Sequence, residues 1–151
     1  MRYIGEILQP GEKVLFAGTL HWIVYLPAVL VLLPALGALT QIRSGPTGLS
    51  WMIAAIAFAI ASAVMFVSAW FRRWTTEIDV TDRRIVYKTG FIRRHTVEMN
   101  MDKVESVDVD QSFWGRLLDY GDITIHGTGD SIDPLRGVGS PLDFRNKVTA
   151  R

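Results

Sequence analysis

Two apolar stretches without charged side chains constrain the fold of this chain more than any other feature. Residues 22–41 read WIVYLPAVLVLLPALGALTQ and residues 51–71 read WMIAAIAFAIASAVMFVSAWF. An α-helix rises about 1.5 Å per residue, so each stretch would reach about 30 Å, the thickness of a hydrocarbon core. A helix in a soluble hairpin, the alternative, normally keeps a charged face. The sequence therefore predicts two membrane-spanning helices.

The charges around these stretches predict the topology. The connection IRSGPTGLS, residues 42–50, carries only Arg43, whereas Arg72 and Arg73 follow the second stretch and Arg2 and Lys13 precede the first. Basic residues favour the cytosolic side. A two-pass protein of the bacterial inner membrane with both termini in the cytosol is therefore expected. A cleaved signal peptide is disfavoured, because a long leader with two acidic residues precedes the first stretch and a second stretch follows it.

Small residues and prolines recur at helical spacing in both predicted spans. Such residues allow close approach of helix backbones. The candidate packing residues are Pro27, Pro34 and Gly37 in the first span and Ala55, Ala59 and Ala63 in the second. They predict a contact within the helix pair or with another copy, although alanine is also common in such helices. Neither span contains Asp, Glu, Lys, Arg or His, which disfavours an ion or proton pathway.

Composition excludes several classes of function. The net charge is +1, and residues 72–151 contain thirteen basic and thirteen acidic side chains, so no basic field is available for nucleic acid. The chain has no cysteine and therefore no disulfide, thiolate nucleophile or cysteine zinc site. The bilayer and other proteins remain as the expected partners.

Residues 75–151 show the alternation of apolar and polar residues that is typical of strands. Six strands joined by short turns predict an antiparallel meander that curls into a sandwich or small barrel. The predicted strands are TTEIDV (75–80), RRIVYK (83–88), FIRRHTVEM (91–99), KVESVDV (103–109), DITIH (122–126) and a weaker one at 132–135.

The segment SPLDFRNKVTA, residues 140–150, predicts a closing helix. Ser140 suits the capping position, and Pro141 suits the first helical position. Leu142, Phe144 and Val148 are its apolar residues and are expected to cover the open end of the sheet.

The order of these elements resembles the membrane-anchored bacterial pleckstrin-homology (PH) family of YdbS-like proteins. The motifs that carry the resemblance are YIGEILQPGEKVLFAGTLHW, TTEIDVTDRRIVYKTGFIRRHTVEMNMDKVESVDVDQS and FWGRLLDYGDITIHGTG. The resemblance implies an α+β membrane protein in which a two-helix transmembrane hairpin carries a PH-like antiparallel β-sandwich or barrel capped by a C-terminal α-helix. The expected organisation is a leader with a short strand (1–21), the hairpin (22–71) and the PH-like domain (75–151). Proteins of this kind look like interaction modules without enzymatic residues.

No catalytic, cofactor or metal site is predicted. The sequence lacks the GxSxG and HExxH motifs, and His21, His95 and His126 have no ligand-like spacing. The segment from Asp108 to Asp119 resembles a calcium loop but has Phe113 where glycine is required. We therefore expect no enzyme, no cofactor and no small-molecule substrate.

Three arginine pairs form the first candidate surface, because cations near a membrane attract anionic lipid. These are Arg72 with Arg73, Arg83 with Arg84, and Arg93 with Arg94. Binding of anionic headgroups through these pairs is the alternative function. The competing interpretation is that Arg72 and Arg73 set the topology, whereas the later pairs form ion pairs across strands. The balanced charge of residues 72–151 favours it, and the acidic partners expected are Glu77, Asp79, Glu98 and Asp102.

Phe113 and Trp114 form the second candidate surface. An exposed pair would mark a contact surface, whereas a buried pair would fill the sheet, and packing is the favoured interpretation. Edge strands are a third candidate, because they pair with other chains. The leading hypothesis is a non-enzymatic module that associates with itself or with another membrane protein.

Overall fold

The computed structural model describes residues 4–42, 47–90, 95–128 and 130–150. The chain forms two compact units. One comprises the described residues of Met1–His21 and Arg73–Arg151, and we call it the sheet unit; the other is Trp22–Arg72, and we call it the apolar hairpin. The N-terminal leader is therefore part of the same unit as the C-terminal strands.

The helices are α1 (Ile4–Ile7), α2 (Leu26–Thr40), α3 (Gly48–Thr75), α4 (Phe113–Leu118) and α5 (Pro141–Thr149), with short 3-10 turns at Trp22–Tyr25 and Met101–Lys103. The strands are β1 (Val14–Gly18), β2 (Glu77–Thr81), β3 (Arg84–Thr89), β4 (His95–Asn100), β5 (Val104–Asp110), β6 (Tyr120–Gly127) and β7 (Asp130–Gly139). They form two antiparallel sheets, in the orders β1-β2-β3-β4 and β5-β6-β7.

The leader strand β1 pairs with β2, with Gly18 opposite Ile78 and Val14 opposite Thr81. Both apolar helices therefore lie in the connection between two neighbouring strands of one sheet. The six strands predicted for residues 75–151 are present. The last of them, β7, is longer than the predicted strand at 132–135. Thr81 belongs to β2, so the turn between β2 and β3 consists of Asp82 and Arg83. The predicted start of the third strand, residues 91–94, lies outside the described residues.

The core lies between the two sheets and under α5. Ile78 and Val80 of β2, Ile123 and Ile125 of β6, and Phe144 of α5 are all fully buried. Burying branched aliphatic and aromatic side chains in this way supplies most of the driving force for folding. The alternation in β2 predicted this inner face correctly.

The opposite face of β2 is buried as well, which alternation did not predict. Asp79 is 1% exposed and Thr81 is fully buried. Thr81 contacts Glu12, which precedes β1. The leader therefore covers this end of the outer face of the sheet.

Helix α5 begins differently from the predicted capped helix. Pro141 takes the first turn, but the Ser140 side chain accepts no capping hydrogen bond. Instead, the Ser140 backbone is left-handed at φ 52°, and its hydroxyl donates to Asp119 Oδ2 at 2.6 Å. Leu142, expected in the core, is 44% exposed. Phe144 is fully buried and contacts Phe16 edge to face, with ring centroids 5.6 Å apart.

The apolar hairpin contains two helical stretches that are long and apolar enough to cross a membrane. The most apolar 18-residue stretch has a mean hydropathy of 2.2 in Trp22–Thr40 and 2.3 in Gly48–Thr75, and 17% and 11% of these stretches are buried within the chain. A core helix of a soluble protein would be mostly buried. The second stretch extends beyond the predicted residues 51–71 at both ends.

The contact between α2 and α3 uses small residues, as expected, but not the predicted set. The buried residues are Ala28, Ala35 and Ala38 of α2 and Gly48, Ala55 and Ser62 of α3. The Ser62 hydroxyl donates to the Ala28 carbonyl at 2.8 Å. Of the predicted packing residues Ala55 is buried, whereas Pro27, Pro34, Gly37, Ala59 and Ala63 are exposed. These five residues therefore do not form the buried contact between α2 and α3. Their contact with another copy stays a prediction.

Candidate functional site

Helix α4 exposes an apolar face, which we call the α4 face. Its residues are Phe113, Trp114 and Leu117, which are 76%, 61% and 66% exposed. At 100° per residue they fall within one arc of the helix surface. The phenyl and indole rings contact each other edge to face, with centroids 5.6 Å apart. The favoured expectation of packing in the core was wrong for both aromatic residues.

The opposite side of α4 is fixed to the sheet unit. Gly115 is buried, and a Cβ added there would lie 2.6 Å from the Tyr120 carbonyl oxygen, so a larger residue does not fit. Ser112 caps the helix by accepting the Gly115 N–H at 3.1 Å. Asp119 ends it in a left-handed conformation at φ 57°. These contacts hold the apolar side chains away from the core.

The chain leaves the sheet unit next to α4. His21, the last residue of the leader, stacks on Tyr120 with ring centroids 5.3 Å apart. Its backbone N–H donates to the Gly137 carbonyl at 2.7 Å. Burial and the positive charge of Arg73 lower the pKa of His21, and Asp119 opposes them. Neutral imidazole is therefore favoured beside the exit of the chain.

The second feature is a buried ion pair that ties the leader to the sheet. The Glu12 side chain is fully buried and accepts from Arg84 Nε at 3.1 Å and from Arg84 Nη2 at 3.1 Å. The Thr81 hydroxyl and the Gln9 N–H also donate to this carboxylate, at 2.7 and 2.9 Å. Such bidentate, charge-assisted hydrogen bonds are the strongest of their class.

The remaining donors of Arg84 are also used within the unit. Nη1 donates to Glu98 Oε2 at 2.9 Å, and Nη2 donates to the Ile7 carbonyl at 2.8 Å. Arg84 was a predicted lipid contact, but its guanidinium is occupied by two carboxylates and a carbonyl. The competing interpretation, an ion pair across strands with Glu98, is the one that the structure contains. Sequence reasoning missed Glu12; the Pro-Gly-Glu turn of the leader was the available signal.

The network changes the acidity of Glu12. Burial by itself raises the pKa of a carboxyl group, but the hydrogen bonds from Gln9, Thr81 and Arg84, together with the guanidinium charge, outweigh it. The pKa of Glu12 falls from 4.5 to about 2. The Glu12 carboxylate is therefore ionised in the folded protein at neutral pH.

This shift predicts an acid-sensitive stability. The folded state holds the Glu12 pKa near 2 against 4.5 when unfolded, so its stabilisation is complete above 4.5 and is lost as the pH falls through about 2. We expect the difference in unfolding free energy between the wild-type chain and Glu12→Gln to shrink over that interval. Urea unfolding in nonionic detergent at several pH values measures it. A difference that stays constant with pH would contradict the assignment.

The other predicted arginines have varied surroundings. Arg72 and Arg83 are exposed and Arg73 is half-buried. Arg83 also lines a surface pocket that contains the carboxylates of Asp82 and Asp102. Since the pocket carries both signs of charge, it is a poor cradle for an anionic headgroup. Arg93 and Arg94 lie outside the described residues.

One of the edge strands, β5, carries charges that oppose pairing with another sheet. Among the described strands, β1, β4, β5 and β7 each have one hydrogen-bonded neighbour strand. The side chains of Glu105, Asp108 and Asp110 on β5 are exposed. Like charges along an edge are a common device against edge-to-edge association. These charges oppose contact between copies through β5.

The described residues contain no group of three or more His, Cys, Asp or Glu side chains placed to hold a metal ion. His126 contacts Asp108 at 3.1 Å, and both side chains are exposed.

A family model described as "Bacterial PH domain" matches residues 19–151. No curated protein and no solved structure gives a significant match.

Proposed function

The chain belongs to the bacterial PH domain family, and we propose that it is a non-enzymatic interaction module anchored in the inner membrane by its apolar hairpin. The PH domain supplies the coarse assignment, an interaction or lipid-binding module. Anchoring, the cytosolic position of the sheet unit and its association with another membrane-embedded chain are the finer parts of the proposal.

One observation carries the proposal: the hairpin occupies the connection between β1 and β2. Because the hairpin connects two paired strands, each of its two ends continues directly into the sheet unit. The sheet unit therefore follows the hairpin wherever it inserts, unlike a domain on a long terminal linker. The exposed helices are apolar enough to span, and about 20 such residues suffice.

The proposed partner is a second copy or another membrane protein that contacts the hairpin. Pro27, Pro34 and Gly37 of α2 are exposed, so these small and rigid residues remain available after the hairpin has formed. Association inside a bilayer depends on close packing of this kind. Confinement of the copies to two dimensions also raises their effective concentration. The acidic edge of β5 makes the sheet a poorer route to the same contact.

The cysteine-free chain allows a direct test, because any introduced cysteine is the only one. We expect Gly37→Cys to form a disulfide or crosslinked adduct in native membranes. A Cβ at Gly37 meets nothing within 4 Å, so the substitution fits. Leu36→Cys is the matched control, since it is exposed at nearly the same depth but about 100° around the helix.

An adduct of twice the monomer mass would support self-association, and one of another mass would support a different membrane protein. Equal yields from Gly37→Cys and Leu36→Cys would contradict a specific contact on this face. Alkaline extraction of the same membranes tests the anchor separately: the protein is expected to stay in the pellet.

The alternative function, recognition of anionic headgroups by arginine pairs, is weaker than the sequence alone suggested. Arg84 is held by Glu12 and Glu98, and Arg83 lies among carboxylates. Binding that falls with salt and requires anionic lipid would revive it.

A further inference from the structure

Helix α4 lies near the point where the sheet unit continues into the first apolar helix, with its apolar face on the side turned away from the sheet unit. Gly115 of α4 packs against Tyr120, and Tyr120 stacks on His21. The next residue, Trp22, begins the apolar hairpin. If the hairpin spans the bilayer, chain continuity keeps α4 close to the membrane surface.

We propose that the α4 face inserts into the cytosolic leaflet, at the boundary between headgroups and acyl chains. The proposal rests on the proposed function, because it requires the hairpin to be anchored. It gives the chain a contact with the bilayer beyond the two spans. The α4 face is covered by lipid rather than by a partner protein.

The chemistry of the face fits that position. Tryptophan is enriched at membrane interfaces, and phenylalanine and leucine are typical of the apolar side of interfacial helices. Three large apolar side chains, each more than 60% exposed, form one continuous patch on a short helix. Such a patch on a soluble domain marks an interaction site. Interfacial helices bury their apolar side about 5–10 Å deep, which side chains of this size can reach.

The charges beside the face indicate what drives insertion. Arg116 is exposed on α4, but Asp110 and Asp119 are exposed just before and after the helix. Since the two signs are both present, anionic lipid gains little attraction. Insertion should therefore depend on apolar area and change little with salt or with the anionic content of the membrane, unlike headgroup binding by arginines.

The experiment uses the full chain in phosphatidylcholine vesicles with one environment-sensitive fluorophore at a time. The positions are Trp114→Cys on the α4 face, Leu142→Cys on α5 as an exposed control, and Leu33→Cys on α2 as a report on the span. Spin-labelled lipids quench a fluorophore inside the bilayer, and iodide quenches one in water. We expect lipid quenching at Trp114 and Leu33 and iodide quenching at Leu142.

Each outcome separates this inference from the anchoring. Lipid quenching at Leu33 with iodide quenching at Trp114 would overturn the inference and leave the anchor intact. Iodide quenching at both would overturn the anchor and the inference together. Protection at Trp114 that disappears when the protein is diluted in the vesicles would instead assign the face to a second copy, against the proposal. Phe113→Ser with Leu117→Ser is expected to reduce lipid quenching at Trp114, because it removes the neighbouring apolar area.

Discussion

Replacing Glu12 with alanine is expected to destabilise the sheet unit by about 3–5 kcal/mol, because the substitution leaves a largely buried guanidinium without its main partner. Arg84 directs Nε and Nη2 at the Glu12 carboxylate, and its side chain is only 14% exposed. The same substitution removes the side-chain acceptor of the Gln9 N–H, whereas the Thr81 hydroxyl keeps the Arg84 carbonyl at 2.9 Å as an acceptor. The leader should then detach from the sheet more easily.

The measurement is urea unfolding of the full chain in detergent, followed by thiol labelling at Val138→Cys in the core. This probe is fully buried when folded, and its own cost is shared by every variant. Glu98→Ala is the matched control: Glu98 bonds the same guanidinium but is 40% exposed, so a loss of about 0–1 kcal/mol is expected.

A double-mutant cycle makes the test specific. If Glu12 and Arg84 act on each other, Glu12→Ala with Arg84→Ala should cost less than the two single losses added together. Strict additivity, or equal losses for Glu12→Ala and Glu98→Ala, would show that the buried pair has no special role.

Replacing Phe144 with alanine is the second large effect, with an expected loss of about 3–5 kcal/mol. Its ring is fully buried between the sheets and contacts Phe16, so truncation leaves a cavity that the neighbours only partly fill. Leu142→Ala on the same helix should cost little, since Leu142 is 44% exposed. Labelling at Val86→Cys, on the outer face of the sheet, reports unfolding without disturbing this part of the core.

The Phe144 and Leu142 pair also tests which face of α5 is buried. Similar losses for both variants would contradict the helix orientation in this structure. Large losses at both positions would instead match the expectation from sequence, in which all three apolar residues of the helix point inward, and a large loss only at Leu142 would contradict both.

The alternation of apolar and polar residues predicted the inner face of most strands in the sheet unit. Ile78, Val80, Ile123 and Ile125 alternate with polar residues, and that period of two assigns them to the inner face. The same reasoning failed for Asp79 and Thr81, which are both buried; at Thr81 the reason is that Glu12 of the leader covers this end of the outer face. What covers a surface depends on residues distant in sequence.

The candidate site was less predictable than the fold. Phe113 and Trp114 suit a core plug or a surface equally well by composition, and burial at Gly115 decides which side of α4 faces inward. Arg83 and Arg84 look alike in sequence, yet only Arg84 bonds the buried Glu12, which lies 72 positions away. Pair contacts of this kind are not encoded in a local pattern.

The sequence by itself determined two long uncharged apolar segments, six of the strands and a closing helix, because hydrophobic periodicity and length are local properties. The tertiary structure alone decided that β1 of the leader pairs with β2 across the apolar hairpin, that Glu12 binds Arg84, and that Ala28, Ala35 and Ser62 form the helix contact. It also exposed the α4 face. These features depend on contacts between residues that are distant in sequence, and the packing of the whole chain determines those contacts.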